Sequence, residues 1–149
     1  MKGIRHIGIV VSDLERALHF YRDLLGFKES RIMDESGDFI EKITGMNGID
    51  VTTVKLSADD GNLIELLHFK SPAAVKDDGN VFNRIGCTHA AFSTGDIEKD
   101  YTRLKKEGVQ FICEPQLSSD KKAKVVFLKD PDGTMLELVQ WLADSGEKK

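Results

Sequence analysis

The sequence predicts an α+β protein in which one strand, helix, strand, strand, strand unit occurs twice. Three observations carry this. Asn62-Leu63-Ile64-Glu65-Leu66-Leu67 and Thr134-Met135-Leu136-Glu137-Leu138-Val139 are two apolar runs, each interrupted by one glutamate. His6, Asp13 and Gly26 recur as His89, Asp96 and Gly108 at a nearly constant offset. Between the halves lies a polar stretch, 70–85, containing Pro72 and Lys76-Asp77-Asp78-Gly79-Asn80. A repeat of this kind governs how every single position is read.

Taken in order, Ile4 to Val11 is rich in Ile and Val and reads as a strand. Ser12-Asp13 supplies helix-capping residue types, and Leu14, Ala17, Leu18, Tyr21, Leu24 and Leu25 follow at three- and four-residue spacing. Gly26 ends that helix, and Phe27 to Met33 resumes as a strand. Residues 34–49 read as an irregular lid or rim, with about one helical turn around Phe39 to Ile43. Asp50 to Leu56 alternates as a strand, Asp59-Asp60-Gly61-Asn62 is a hairpin signal, and the Glu65 strand closes the first module. The second module repeats the order. Its last hairpin joins Ala123–Leu128 to Thr134–Trp141 across Asp130-Pro131-Asp132-Gly133. The boundaries are module one at about 4–69, a linker at 70–85, module two at about 86–141 and a polar tail at 142–149.

Composition narrows the function classes. The 149 residues are 40% hydrophobic and 31% charged, enough for one globular domain or two small modules sharing a core. A formal net charge of −4 and the lack of a long basic run argue against nucleic acid or an anionic membrane and leave a small molecule as the expected partner. The N-terminus has no signal-type apolar segment and no run is long enough to span a membrane, so a cytoplasmic location is expected. Cys87 and Cys113 are expected to be reduced thiols packed as small hydrophobes.

Glu65 and Glu137 are flanked by apolar residues on both sides, so each is expected to be half-buried, with a metal ion or a basic side chain opposite it. Taken singly, His6 and His89 read as hydrogen-bonded strand residues. Together with the two glutamates and the repeat, they become two imidazoles and two carboxylates in pseudo-symmetric positions, a set suited to Zn²⁺, Ni²⁺, Co²⁺, Fe²⁺ or Mn²⁺. His19 and His68 fall outside the repeat; His19 is expected on the helix surface and His68 on the face opposite Glu65. Arg5 and Arg84 read as surface charge, and Trp141, Tyr21, Tyr101 and Phe92 as packing residues.

His6-Ile7-Gly8-Ile9-Val10-Val11-Ser12-Asp13 with Phe20-Tyr21-Arg22-Asp23-Leu24-Leu25-Gly26-Phe27, and Phe127-Leu128-Lys129-Asp130-Pro131-Asp132-Gly133 with Leu136-Glu137-Leu138, resemble the vicinal oxygen chelate superfamily. That group includes glyoxalase I, methylmalonyl-CoA epimerase, extradiol dioxygenases and the fosfomycin- and bleomycin-resistance proteins. The resemblance covers roughly 4–141 and implies one domain of two tandem βαβββ modules, forming a cupped, barrel-like mixed sheet with helices outside, commonly as a homodimer. It also implies that His6, Glu65, His89 and Glu137 are the ligands of one divalent metal ion. The His-Glu-His-Glu set is similar to that of bacterial glyoxalase I. It implies a lyase or isomerase in which an enediolate formed on a small carbonyl or thioester substrate is stabilised by the metal while Glu137 or Glu65 moves the proton. Glyoxalase I usually follows its first Glu with an Asn-containing polar stretch, where this chain has Leu66-Leu67-His68-Phe69, so the substrate stays open. The alternatives are a metal-independent binding protein of the bleomycin-resistance type and a ring-cleaving dioxygenase, the latter disfavoured because Glu65 would fill a position that dioxygenases leave open.

Overall fold

Ile7, Ile9 and the residues around them reach their partners by a parallel pairing that begins one residue after His6, and the rest of the first unit follows from that pairing. The computed structural model describes residues 2–76, 82–83 and 85–142; within the linker 77–81 and Arg84, and at the end 143–149, the sequence expectations lie outside the described residues. The chain divides into two units at 78/79.

The first unit runs β1 (Ile7–Val10), α1 (Leu14–Leu18), a π-helical segment (His19–Leu24), β2 (Lys28–Ser36), α2 (Asp38–Thr44), β3 (Asp50–Ser57) and β4 (Leu63–Ser71). Its sheet has the order β1-β4-β3-β2, parallel between β1 and β4 and antiparallel elsewhere. Asp13 caps α1 by accepting the Arg16 N–H at 3.0 Å, and Gly26 ends the helical run at φ +84°, a conformation that a side chain would strain. The helix packs on β4, and Ala17, Phe20 and Tyr21 are buried together with Ile9, Val54, Leu56, Ile64 and Leu66. Phe20 was not on the expected apolar face. The turn widens after Leu18, with the Leu25 N–H donating to the Phe20 carbonyl, and this rotates Phe20 inward, edge-on to Tyr21.

The 34–49 stretch is more regular than its composition suggests. β2 continues to Ser36, because Asp34 and Glu35 accept hydrogen bonds from the cross-strand hydroxyls of Thr52 and Thr53. Acidic residues carry little strand propensity, so the pairing is visible only through these partners. Two turns of helix, Asp38–Thr44, then follow.

The second unit comprises β5 (Ala90–Ser93), α3 (Ile97–Lys106), β6 (Gln110–Phe111), β7 (Gln116–Leu117), β8 (Ala123–Lys129) and β9 (Met135–Trp141). The sheet order is β5-β9-β8-β6, with β7 also paired to β8. Here the expected middle strand is split in two around Cys113-Glu114-Pro115, where proline has no N–H to give the ladder. Asp96 caps α3 through the Lys99 N–H, and Gln140 ties the same end of the helix to β9 by accepting from the Ile97 N–H and donating to the Gly95 carbonyl. Asp130 is 5% exposed and organises the last hairpin, accepting the N–H groups of Asp132 and Thr134. Cys87 and Cys113 are free thiols as expected, but both are exposed rather than packed, and Trp141 is also exposed. No helix among the described residues is long and apolar enough to cross a membrane.

Candidate metal centre

The parallel pairing of each unit aligns a His and a Glu in the same way. In the first, Gly8 of β1 lies opposite Glu65 of β4, and His6, two residues earlier, shares the face. His6 Nε2 is 3.1 Å from Glu65 Oε2. In the second, Ala91 lies opposite Glu137, and His89 Nε2 is 3.3 Å from Glu137 Oε2. The glutamate side chains are 14% and 17% exposed, against 34% and 32% for the histidines. Both carboxylates are therefore half-buried as expected, with an imidazole opposite each. Within each unit no third His, Cys, Asp or Glu among the described residues joins the pair.

The surroundings of the two pairs differ. Glu65 has a second neighbour, the cationic Lys55, whose Nζ lies 3.4 Å from Oε1 and which faces it directly across β3 and β4. At the corresponding place opposite Glu137 stands Phe127. Its ring meets the His89 ring edge-on at 5.2 Å and that of Phe82 at 4.7 Å. His89 Nδ1 is 2.9 Å from the Thr88 hydroxyl, so the ring is oriented from behind while Nε2 faces the carboxylate. Lys55 and Thr88 were not singled out from the sequence. A lysine in an otherwise alternating strand was the available signal for the first; a threonine next to a histidine gives none.

α2 bears on the same face. Ile40 and Ile49 pack on Val51, Leu67 and Phe69, and Leu67 and Phe69 share the β4 face of Glu65. The 34–49 segment thus borders one end of that face, as a rim would, and leaves Phe39 and Ile43 exposed. His68, on the opposite side of β4, pairs with Thr52; His19 is exposed and bonds Asp23. Neither joins the His-Glu pairs.

An imidazole nitrogen and a carboxylate oxygen that point at each other near 3 Å, mostly shielded from water, are a donor pair suited to a borderline divalent cation, and each unit supplies one such pair. The donor set fits a metal of that class.

Each unit sets one His-Glu pair beside a parallel strand pairing, and comparison with known proteins places the fold. The Glyoxalase/Bleomycin resistance protein/Dioxygenase superfamily profile matches residues 3–138, and the chain belongs to that superfamily. The uncharacterized protein YurT of Bacillus subtilis is 31% identical, covering 89% of this chain and 94% of that one. A probable lactoylglutathione lyase of Synechocystis is 29% identical over 91% of this chain and 92% of its own. Among solved structures, a glyoxalase family protein of Bacillus cereus superposes with a TM-score of 0.86 at 22% identity, covering 96% of both chains, which speaks to the fold alone.

Proposed function

We propose that this protein is a divalent-metal-dependent lyase or isomerase of the glyoxalase type, acting by proton transfer on a small carbonyl or thioester substrate. The observation that supports it is the repetition of one His-Glu pair at the same strand register in both units. In this reading His6, Glu65, His89 and Glu137 together hold one ion, of nickel, cobalt, zinc, iron or manganese, and the protein acts as a cytoplasmic homodimer. When bound, the ion supplies Lewis acidity toward a carbonyl oxygen. One carboxylate, Glu137 or Glu65, takes up and returns a proton at the carbon beside that carbonyl. Thr88 keeps the His89 ring turned toward Glu137, while Phe127 and Phe82 give that end an apolar wall.

A test of the reaction class is solvent deuterium exchange, followed by NMR, in a panel of α-hydroxycarbonyl compounds, hemithioacetals and acyl thioesters with the metal-loaded protein. Exchange that falls at least about a hundredfold in Glu137→Gln supports the assignment. Exchange at full rate in both Glu137→Gln and Glu65→Gln contradicts it. One observation favours a second reading, a metal-independent binding protein: Lys55 already sets a positive charge 3.4 Å from Glu65. A ligand held equally well before and after complete metal removal would select that reading.

A further inference from the structure

The register of the first sheet lines up one residue from each strand in a single row, Gly8, Glu65, Lys55 and Arg31. Residues directly opposite one another point to the same side of a sheet, so the row lies on the face that carries the His6-Glu65 pair. Two cations sit side by side in it. Lys55 is engaged with Glu65, but Arg31 is exposed and has no hydrogen bond or ion pair with any described residue. The acids of its own strand are spoken for: Glu29 pairs with Arg22, Asp34 with Lys70, and Glu35 accepts from Thr53. Like charges directly opposite in an antiparallel pair destabilise it, and while Glu65 answers the charge of Lys55, no described residue answers that of the Arg31 guanidinium. The second sheet has no such feature. There the row reads Ala91, Glu137, Phe127, and the Phe127 carbonyl accepts from the Ile112 N–H.

We propose that Arg31, with Lys55, binds an anionic group on the substrate, a carboxylate or a phosphate. This rests on the reading of the Glu65 face as the substrate face, and it makes the substrate class a small carbonyl or thioester compound that carries a negative charge. Neighbouring strands are about 4.8 Å apart, so Arg31 stands about 10 Å from Glu65 along the row, and its side chain spans part of that gap. The charge therefore belongs a few bonds from the reacting carbon. A guanidinium is suited to such a group because its fork matches both carboxylate and phosphate oxygens. In the second unit Phe127 stands where Lys55 stands in the first, and the row supplies no cation among the described residues.

The test is isothermal titration of three probes, uncharged glycolamide, malate and 2-phosphoglycolate, into the wild-type protein and the Arg31→Met and Arg31→Lys variants, each with added divalent metal and in EDTA. Arg31 is exposed, so its replacement leaves the fold in place, which circular dichroism checks. The expected result is that malate or phosphoglycolate binds at least about tenfold more weakly to Arg31→Met, with part of the loss recovered in Arg31→Lys and glycolamide unchanged. Whichever of the two binds more tightly identifies the anion. Equal binding of both charged probes to wild type and Arg31→Met, or binding of neither to wild type, overturns the proposal. The two readings fail separately: an Arg31-dependent affinity in EDTA with no metal uptake removes the metal enzyme but keeps the anion site, and metal uptake with no Arg31 dependence does the reverse.

Discussion

Glu65 and Glu137 are chemically the same residue at the same register, yet their neighbours set them apart. Glu65 is held from two sides, by His6 at one oxygen and Lys55 at the other, whereas Glu137 meets one imidazole and an aromatic wall. A lysine and a divalent cation compete for the same carboxylate charge. Lys55→Met is therefore expected to raise metal affinity through Glu65, and titration calorimetry on wild type and variant reads this directly. Thr88 has the opposite expected effect. Partners that orient a ligating histidine are worth about tenfold or more in metal affinity, so Thr88→Val is expected to weaken binding by about that factor with little change in Tm. An unchanged affinity would mean that the Phe127 and Phe82 rings alone orient His89.

At the scale of elements, α2 and β2 carry the additions that distinguish the first unit from the second. Ile40 is 8% exposed and anchors α2 to Val51, Leu67 and Phe69, so Ile40→Ala is expected to cost about 2 kcal/mol in chemical denaturation, with hydrogen exchange rising first in 38–49. The β2-β3 pairing also has an acid-sensitive clasp. Hydrogen bonds from Lys70 and then Thr52 hold the Asp34 carboxyl below the usual carboxylate range. A carboxyl whose pKa is lowered by folding adds stability that is complete above its unfolded pKa and is lost as pH falls through the folded value. The wild-type Tm should thus fall more steeply than that of Asp34→Asn as pH drops from neutral into the acid range, and parallel curves would remove the clasp from the account. These features were only partly legible. Asp13, Gly26, Asp96 and Gly108 announced the helices because caps and stops act locally. The continuation of β2 and the inward turn of Phe20 depend on cross-strand hydroxyls and a widened turn, which no local pattern records.

For the molecule as a whole, the repeat is the organising fact. His6, Glu65, His89 and Glu137 were legible because duplication placed the same residue types at matching points of two strand orders, and the register gives each His its Glu. Lys55 and Arg31 were not, because a row across a sheet joins residues far apart in sequence and exists only once the pairing is known. The split of the middle strand around Pro115 has a local signal, the missing N–H, which reading the second unit as a copy of the first passed over. What the duplication preserves is the donor pair; what diverges is the residue facing each glutamate and the rim at 34–49. The proposed function has the two pairs serve one metal ion, and metal content is the quantity that decides it. The most direct measurement is elemental analysis of protein purified without chelator or affinity tag, beside His6→Ala and Glu137→Gln. The account predicts about one divalent ion per chain, lost in both variants. No metal in the native protein, and none taken up from added Ni²⁺, Co²⁺, Zn²⁺ or Mn²⁺, would contradict it.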